Sequence, residues 1–331
     1  MPLYQAVVLA IVQGITEFLP VSSTAHLWIV PWILKWKDPG LTFDVALHAG
    51  TLVAVIFYFW RYWLEMIKML LGMDSRQGDS KFKIQDSRDT QILDSRRDQI
   101  QDLRGAEIQD PQGARLAVQD LNPKSKIENP KSAAGAMTLL GENRMLFWFL
   151  VIATIPGGLA GWRFERAADE QLRSPFIIGT ALIVVGLIMW AGERAAAHDR
   201  NLGQVGLVDS IIIGVAQAFA VIPGVSRSGS TMTTGLFRGM NRETAARFSF
   251  LLSTPLIAGA CLKKGWEIHH AGLPADMRLP FLFGIIVSAV VGYAVIAVLI
   301  RYLERRTFTV FVVYRVILGV LLLVAGWGLR H

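Results

Sequence analysis

The chain has 331 residues, of which 53% are hydrophobic, with a mean hydropathy of +0.41 and a formal net charge of +7. This composition excludes a soluble globular domain of this size and predicts an all-α integral membrane protein, a polytopic helical bundle. The apolar runs are long and continuous rather than alternating, which excludes a β-barrel. Because Cys261 is the single cysteine, a disulfide framework and a thiolate metal site are also excluded.

The first predicted element is an interrupted apolar segment. Apolar runs at residues 3–19 and 24–34 are separated by Pro20 and by three consecutive hydroxyl residues. Proline cannot continue a hydrogen-bonded helix, and serine and threonine are good N-cap residues for a new one. The pattern therefore predicts a helix, a break and a second helix. Broken backbone is tolerated inside a membrane only where it is buried in protein or lines a cavity.

This break also carries the residues that favour chemistry. Gln13 and Glu17 are four residues apart and share a helix face, whereas Ser23 and His26 are three apart on the next helix. Ionisable groups at this depth usually mark a functional site. Near a bound phosphate, Ser23 is a candidate nucleophile and His26 a candidate general base or leaving-group acid. Glu17 would orient them or hold a divalent cation. The alternative is that Ser22 and Ser23 are helix caps and His26 is a packed histidine, and for Ser22 the cap is the favoured interpretation.

The next apolar run, residues 43–60, begins with Asp44 and His48, four residues apart. A capping aspartate and a packed histidine explain this pair, and a supporting role beside the site is the alternative. Residues 73–144 are different, because they form a polar, repetitive tract with as many basic as acidic residues. Such a tract cannot bury enough apolar area to fold alone, so we predict a disordered insert without a catalytic part.

Further apolar runs lie at residues 145–162, 175–191, 208–222, 247–262, 279–300 and 308–328, and the last two are long enough for full crossings. Residues 216–231 repeat the earlier theme, because an apolar helix leads through Pro223 into hydroxyl residues. Two interrupted apolar segments at corresponding positions indicate a binding site between inverted repeats. We predict that both are re-entrant helix pairs.

Arg227, within this second segment, favours anion binding. A guanidinium binds phosphate through two parallel hydrogen bonds and stays charged. Neighbouring hydroxyl residues can donate to phosphate oxygens, and a helix that begins near Ser226 would direct its free N–H groups at the same anion. The alternative is an arginine that extends to the membrane interface, which needs no hydroxyl cluster. The predicted phosphate contacts are Gln13, Ser22, Thr24, Ser226, Ser228, Ser230 and Thr231.

Four regions follow from these patterns. Residues 1–72 hold the first re-entrant pair and the following membrane helices, and residues 73–144 are the insert. Residues 145–200 complete the first repeat, and residues 201–331 form the second repeat with the second re-entrant pair and the C-terminal helices.

The two broken segments resemble those of the undecaprenyl-diphosphate phosphatase family of the bacitracin-resistance type. The resemblance lies in residues 13–26 (QGITEFLPVSSTAH) and 223–231 (PGVSRSGST), with supporting matches at residues 43–51, 153–156 and 247–255. It covers nearly all of the chain except residues 73–144. Gln13 stands where some members have a second glutamate, and Ala25 stands where glycine is usual.

This resemblance implies a multi-pass enzyme of the bacterial plasma membrane that hydrolyses undecaprenyl diphosphate to the monophosphate used in peptidoglycan synthesis, conferring bacitracin resistance. Glu17, Ser23, His26 and Arg227 fall on the essential positions of the family, with Ser226 and Thr231 as further phosphate contacts. It also implies stimulation by a divalent cation such as Mg or Ca, membrane lipids as neighbours, and often a homodimer. The rival hypothesis is a polyprenyl-phosphate transporter or flippase, because broken helices and inverted repeats are transporter features too.

Overall fold

The computed structural model describes residues 1–71 and 143–328, with the backbone alone for residues 165–170. The predicted insert, residues 73–144, therefore lies almost wholly outside the described residues. Within them the chain forms eleven α-helices and two short 3-10 turns, and the isolated Arg200–Met240 bridge is the extent of β pairing. The helices are α1 (Leu3–Thr16), α2 (Ser23–Leu34), α3 (Leu41–Tyr58), α4 (Trp60–Leu70), α5 (Leu146–Glu170), α6 (Pro175–Ala195), α7 (Leu207–Ala218), α8 (Arg227–Phe237), α9 (Arg242–Ala271), α10 (Ala275–Leu303) and α11 (Thr309–Gly328).

Six of the described helices, α3, α5, α6, α9, α10 and α11, are long and apolar enough to cross a membrane. The predicted all-α polytopic fold is confirmed, and so are the crossings expected at residues 279–300 and 308–328. Residues 1–66, together with the described residues from 143 onward, belong to one compact unit. Residues 67–71, at the end of α4, belong to a second unit.

Two helices depart from the apolar runs of the sequence. Helix α4 has no counterpart among those runs, because charged residues interrupt its apolar pattern. Helix α9 extends beyond the apolar run at residues 247–262, so that His269 and His270 lie in its last turn. Its start is fixed by Asn241, whose Oδ1 accepts from the Thr244 N–H at 2.8 Å. Its end is fixed by Gly272, which has a φ of +79°.

Helices α1, α3 and α10 pack together and run in the same direction. The Met1 amino group lies 3.7 Å from Met277 Sδ, at the start of α10. Near the end of α1, a Cβ at Gly14 would lie 2.7 Å from Val291 Cβ of α10, so this glycine lets the two helices approach each other closely. The start of α3 likewise lies beside the start of α10, where the Phe43 and Phe281 rings are 5.5 Å apart.

Two other helix pairs complete the arrangement. Helices α5 and α7 run in the same direction, because Asn143 donates to the Val205 carbonyl at 2.9 Å and Gln217, further along, donates to Ala153 at 3.4 Å. Helices α6 and α11 run in opposite directions, with Pro175 at the start of α6 beside Gly326 near the end of α11.

Both predicted breaks are present. Residues 17–22, which we call the first break, separate α1 from α2, and residues 219–226, the second break, separate α7 from α8. The four flanking helices have 11 to 14 residues, so each is shorter than the ~20 residues of a crossing. Inverted repeats and re-entrant entry from the membrane surface stay predictions.

Candidate functional site

A serine in the same unusual conformation ends each break. Ser22 has φ 77° and ψ 98°, and Ser226 has φ 73° and ψ 116°, so both lie where L-residues are strained. Each is the N-cap of the helix that follows: Ser22 Oγ accepts from the Ala25 N–H at 3.4 Å and Ser226 Oγ accepts from the Gly229 N–H at 3.0 Å. In the fold, therefore, Ser22 corresponds to Ser226, and Ser23 corresponds to Arg227.

The Glu17 carboxylate is the centre of the candidate active site. Its Oε2 accepts a 2.6 Å hydrogen bond from Ser23 Oγ and a 3.1 Å hydrogen bond from Gln13 Nε2. Its Oε1 accepts a 2.8 Å bond from Arg227 Nη2. The carboxylate is 5% exposed. A buried carboxylate is tolerated when it is paired and hydrogen-bonded in this way, so four of the predicted site residues form one connected group.

His48 is a further partner of this carboxylate. Its Nε2 lies 3.3 Å from Glu17 Oε2, and its Nδ1 lies 2.7 Å from the main-chain carbonyl oxygen of Asp44. Both ring nitrogens face acceptors, so only the doubly protonated imidazolium satisfies both. The capping interpretation of Asp44 was wrong, because Gly40 is the N-cap of α3 and the Asp44 carboxylate pairs with Arg173 at 3.3 Å.

Arg227 begins α8 and joins the two breaks. Besides Glu17, it donates from Nη1 to the Ser249 carbonyl at 3.0 Å. The next residue adds a second link, because Ser228 Oγ lies 3.2 Å from the Glu17 carbonyl oxygen and 3.1 Å from that of Leu19. The Arg227 side chain is 11% exposed, so the protein does not enclose it completely.

His26 does not contact Ser23 through any described hydrogen bond. Its Nδ1 lies 2.7 Å from the Ser22 carbonyl oxygen, and its Nε2 lies 2.6 Å from Tyr314 Oη. Since a carbonyl only accepts, Nδ1 carries a proton and Nε2 is the nitrogen that can exchange one. The rings of His26 and Tyr314 are stacked at 5.8 Å. In this geometry Glu17, rather than His26, is the base beside the Ser23 hydroxyl.

The remaining predicted phosphate contacts take several positions. Thr24 is exposed and its hydroxyl lies 3.1 Å from Ser22 Oγ. Ser230 donates to the Arg227 carbonyl at 3.0 Å. Thr231 is buried and its Oγ1 lies 2.6 Å from Ser249 Oγ, so it links α8 to α9. Ser230 and Thr231 therefore support the position of Arg227 in this structure.

Comparison with known proteins gives the family of the chain. The family model described as "Bacitracin resistance protein BacA" matches residues 6–321. The chain belongs to the BacA family. Among curated proteins, the undecaprenyl-diphosphatase of Moorella thermoacetica is 40% identical over 327 residues, with 99% of each chain covered. The undecaprenyl-diphosphatases of Pelotomaculum thermopropionicum and Desulforudis audaxviator are 38% and 39% identical, with at least 97% of each chain covered.

Three residues of the candidate site were missed, or given only a minor place, in the prediction from sequence. His48 was noted as a minor alternative, whereas Tyr314 and Arg315 were not singled out. Arg315 is 0% exposed in the middle of α11. An arginine within an apolar run of crossing length is itself a signal of function, and it could have been found on that ground.

The same geometry tests whether the protein alone could hold a divalent cation. Among the described residues, no group of three His, Cys, Asp or Glu side chains lies close enough to form a metal site. Both Glu17 oxygens already accept hydrogen bonds, one of them from Arg227. A hard cation prefers several oxygen ligands and is repelled by a guanidinium, so these residues do not fit a resident metal.

Proposed function

We propose that this BacA-family protein, a multi-pass bacterial membrane protein, is an undecaprenyl-diphosphate phosphatase of the plasma membrane. The observation that carries the proposal is the contact of Ser23 and Arg227 with the two oxygens of Glu17, at 2.6 and 2.8 Å. A hydroxyl, a base and a phosphate-binding cation then meet inside an apolar bundle. Curated relatives are named undecaprenyl-diphosphatase, and bacitracin resistance is the family description.

The chemistry follows from these contacts. Arg227 binds the terminal phosphate, and Ser23 Oγ attacks its phosphorus while the Ser23 proton passes to Glu17. The P–O bond to the bridging oxygen breaks, and undecaprenyl phosphate leaves with the electron pair. Water then hydrolyses the phosphoserine and releases inorganic phosphate. Direct attack by a water molecule in place of Ser23 is the alternative route. His26 exchanges a proton through Nε2 with the leaving group.

We also propose that the two short-helix pairs are re-entrant and enter from opposite membrane faces. Helix α1 runs parallel to α10 from a shared end, where Met1 lies beside Asp276 at 3.9 Å. Helix α7 runs parallel to α5 from the other end. Arg200, just before α7, pairs with Met240, just before α9, and α9 then crosses once to the start of α10, so the two shared ends lie on opposite faces. This supports a pair of inverted repeats whose breaks meet at mid-depth.

Cation, partner and assembly are further proposals. A divalent cation would arrive bound to the diphosphate oxygens of the substrate, because Mg²⁺ usually keeps several waters and binds substrate phosphates. The polyprenyl tail would lie among the apolar helices and surrounding membrane lipids. We propose a homodimer, to be checked by light scattering on the detergent-solubilised protein.

The test is phosphate release from undecaprenyl diphosphate or farnesyl diphosphate by the purified protein. Glu17→Gln should lower kcat by about 100-fold or more, because the base for the nucleophile is lost. Ser23→Ala should remove a trapped phosphoenzyme. Ser174→Ala is the matched control, because Ser174 caps α6 away from the site.

Full activity in Glu17→Gln would refute the proposed site. Bound but uncleaved substrate in the wild type would instead favour the transporter hypothesis. Release by Ser23→Ala without a phosphoenzyme would assign the attack to water.

A further inference from the structure

Arg315 donates to five main-chain carbonyls from three segments. Its Nε lies 3.2 Å from the Leu182 oxygen, and its Nη1 lies 3.0 Å from the Pro20 oxygen. Its Nη2 lies within 3.4 Å of three more oxygens. These are the carbonyl oxygens of Ala181, Gly224 and Val225. Each of the three guanidinium nitrogens therefore donates to the backbone, and the two N–H groups of Nη2 are shared among three oxygens.

Three of these carbonyls belong to the breaks. Pro20 lies two residues before the cap Ser22, and Gly224 lies two residues before the corresponding cap Ser226. Arg315 thus joins equivalent carbonyls of the first and second breaks, at 3.0 and 2.8 Å. Carbonyls outside helices need donors at membrane depth, where water does not supply them.

The contact between Glu17 and Arg227 depends on how the breaks are placed. Glu17 begins the first break and Arg227 directly follows the second, so a shift of one break relative to the other separates carboxylate from guanidinium. Ser228 links the breaks beside the site, through the Glu17 and Leu19 carbonyls. Arg315 links them one residue further along, at Pro20.

We propose that Arg315 is a positioning residue for phosphate release, which fastens the two breaks to each other and so holds Glu17 against Arg227. This inference rests on the site proposed above. Arg315 acts through these residues and does not contact the substrate. Lysine in its place keeps the charge but offers three donors on a different geometry, so it cannot reproduce the link.

The experiment is a double-mutant cycle on the full-length protein in detergent, with farnesyl diphosphate as substrate. Arg315→Lys should lower kcat by about 100-fold, as a misplacement of about 1 Å can, while KM changes by less than about 3-fold. In an Arg227→Lys background, where the contact with Glu17 is already altered, the same substitution should lower kcat by less than about 5-fold.

Arg242→Lys is the matched control, because Arg242 at the start of α9 pairs with Glu193 near the end of α6 and makes no described hydrogen bond to either break. Arg242→Lys should change kcat by the same factor in the wild-type and Arg227→Lys backgrounds. If Arg315→Lys also changes kcat by the same factor in both, or if its loss of activity matches the loss of folded protein, the inference is overturned. If Arg227→Lys alone leaves kcat intact, the proposed site fails instead.

A second variant covers the case in which Arg315→Lys does not fold. A Cβ at Gly229 would lie 3.1 Å from Ser226 Cβ and Oγ and 3.2 Å from Arg315 Nη1. Gly229→Ala therefore crowds the guanidinium together with the cap of α8 without removing either, and it should lower kcat by about 10-fold. Unchanged kcat in this variant would overturn the inference.

Discussion

At the strained serines that end the two breaks, glycine variants should be more stable than alanine variants, which is the reverse of the order within a helix. Ser226 has a φ of 73° and caps α8 through a 3.0 Å bond to the Gly229 N–H. Alanine would keep the strained backbone and lose the cap. Glycine would lose the cap but adopt this φ freely. The same reasoning applies to Ser22, whose φ is 77°.

The expected magnitude follows from three contributions. Strain at a non-glycine residue costs about 1–3 kcal/mol. A cap serine replaced by alanine costs about 1 kcal/mol, whereas glycine costs a few tenths. Glycine in turn loses about 0.4–1 kcal/mol through the greater freedom of the unfolded chain. Ser226→Gly should therefore be more stable than Ser226→Ala by about 2 kcal/mol.

Ser230 supplies the internal control. It lies within α8, where the helical backbone favours alanine over glycine by about 1 kcal/mol. Thermal unfolding of the detergent-solubilised variants, followed by tryptophan fluorescence at one scan rate, gives the order of midpoints. Glycine should melt above alanine at residues 22 and 226 and below it at residue 230. The same order at all three positions would refute the assignment of strain.

Three further outcomes are expected. His48→Gln should lower kcat for phosphate release by about 10-fold or more, since glutamine cannot supply a positive partner for the Glu17 carboxylate. Asp44→Asn is the comparison and should change kcat little, because His48 contacts the main chain of Asp44 and not its side chain. Chelation with EDTA should reduce phosphate release without lowering the melting temperature, because the described residues form no metal cluster; a lower melting temperature would contradict this. Burial raises the pKa of Asp209, but hydrogen bonds from Arg200, the Gly206 N–H and Arg238 together lower it by more than burial raises it, so the pKa lies below its ordinary value. This stabilisation is present above the unfolded pKa of about 3.9 and is lost as pH falls, so Asp209→Asn should flatten the acid side of a melting-temperature profile.

The breaks could be predicted from the sequence because their composition contrasts with the surrounding runs. Pro20 and Pro223 interrupt apolar helices, and hydroxyl residues follow each of them. The pairing of Glu17 with Arg227, 210 positions apart, was suggested by the repeated pattern and by the need of buried charges for partners. Local chemistry was therefore sufficient to choose these residues.

The contacts of Arg315, His26 and His48 could not be predicted in the same way. Arg315 bonds to main-chain carbonyls, which leave no trace in side-chain identity. His26 was expected beside Ser23 from their spacing, but the direction of its ring depends on Tyr314, 288 positions away. Asp44 was expected to be a helix cap and His48 a packed histidine, yet their side chains reach Arg173 and Glu17. Long-range packing decides such directions.

The link of Ser228 to the carbonyls of Glu17 and Leu19 bears on how much the molecule can move. A carrier that rocks between inward-open and outward-open forms would have to part its halves along this seam on every cycle. Here the seam is closed by hydrogen bonds from the Ser228 hydroxyl to main-chain carbonyls and by a buried carboxylate–guanidinium pair, both shielded from water that could replace them. Such a joint suits a catalyst that keeps its shape while the lipid comes and goes.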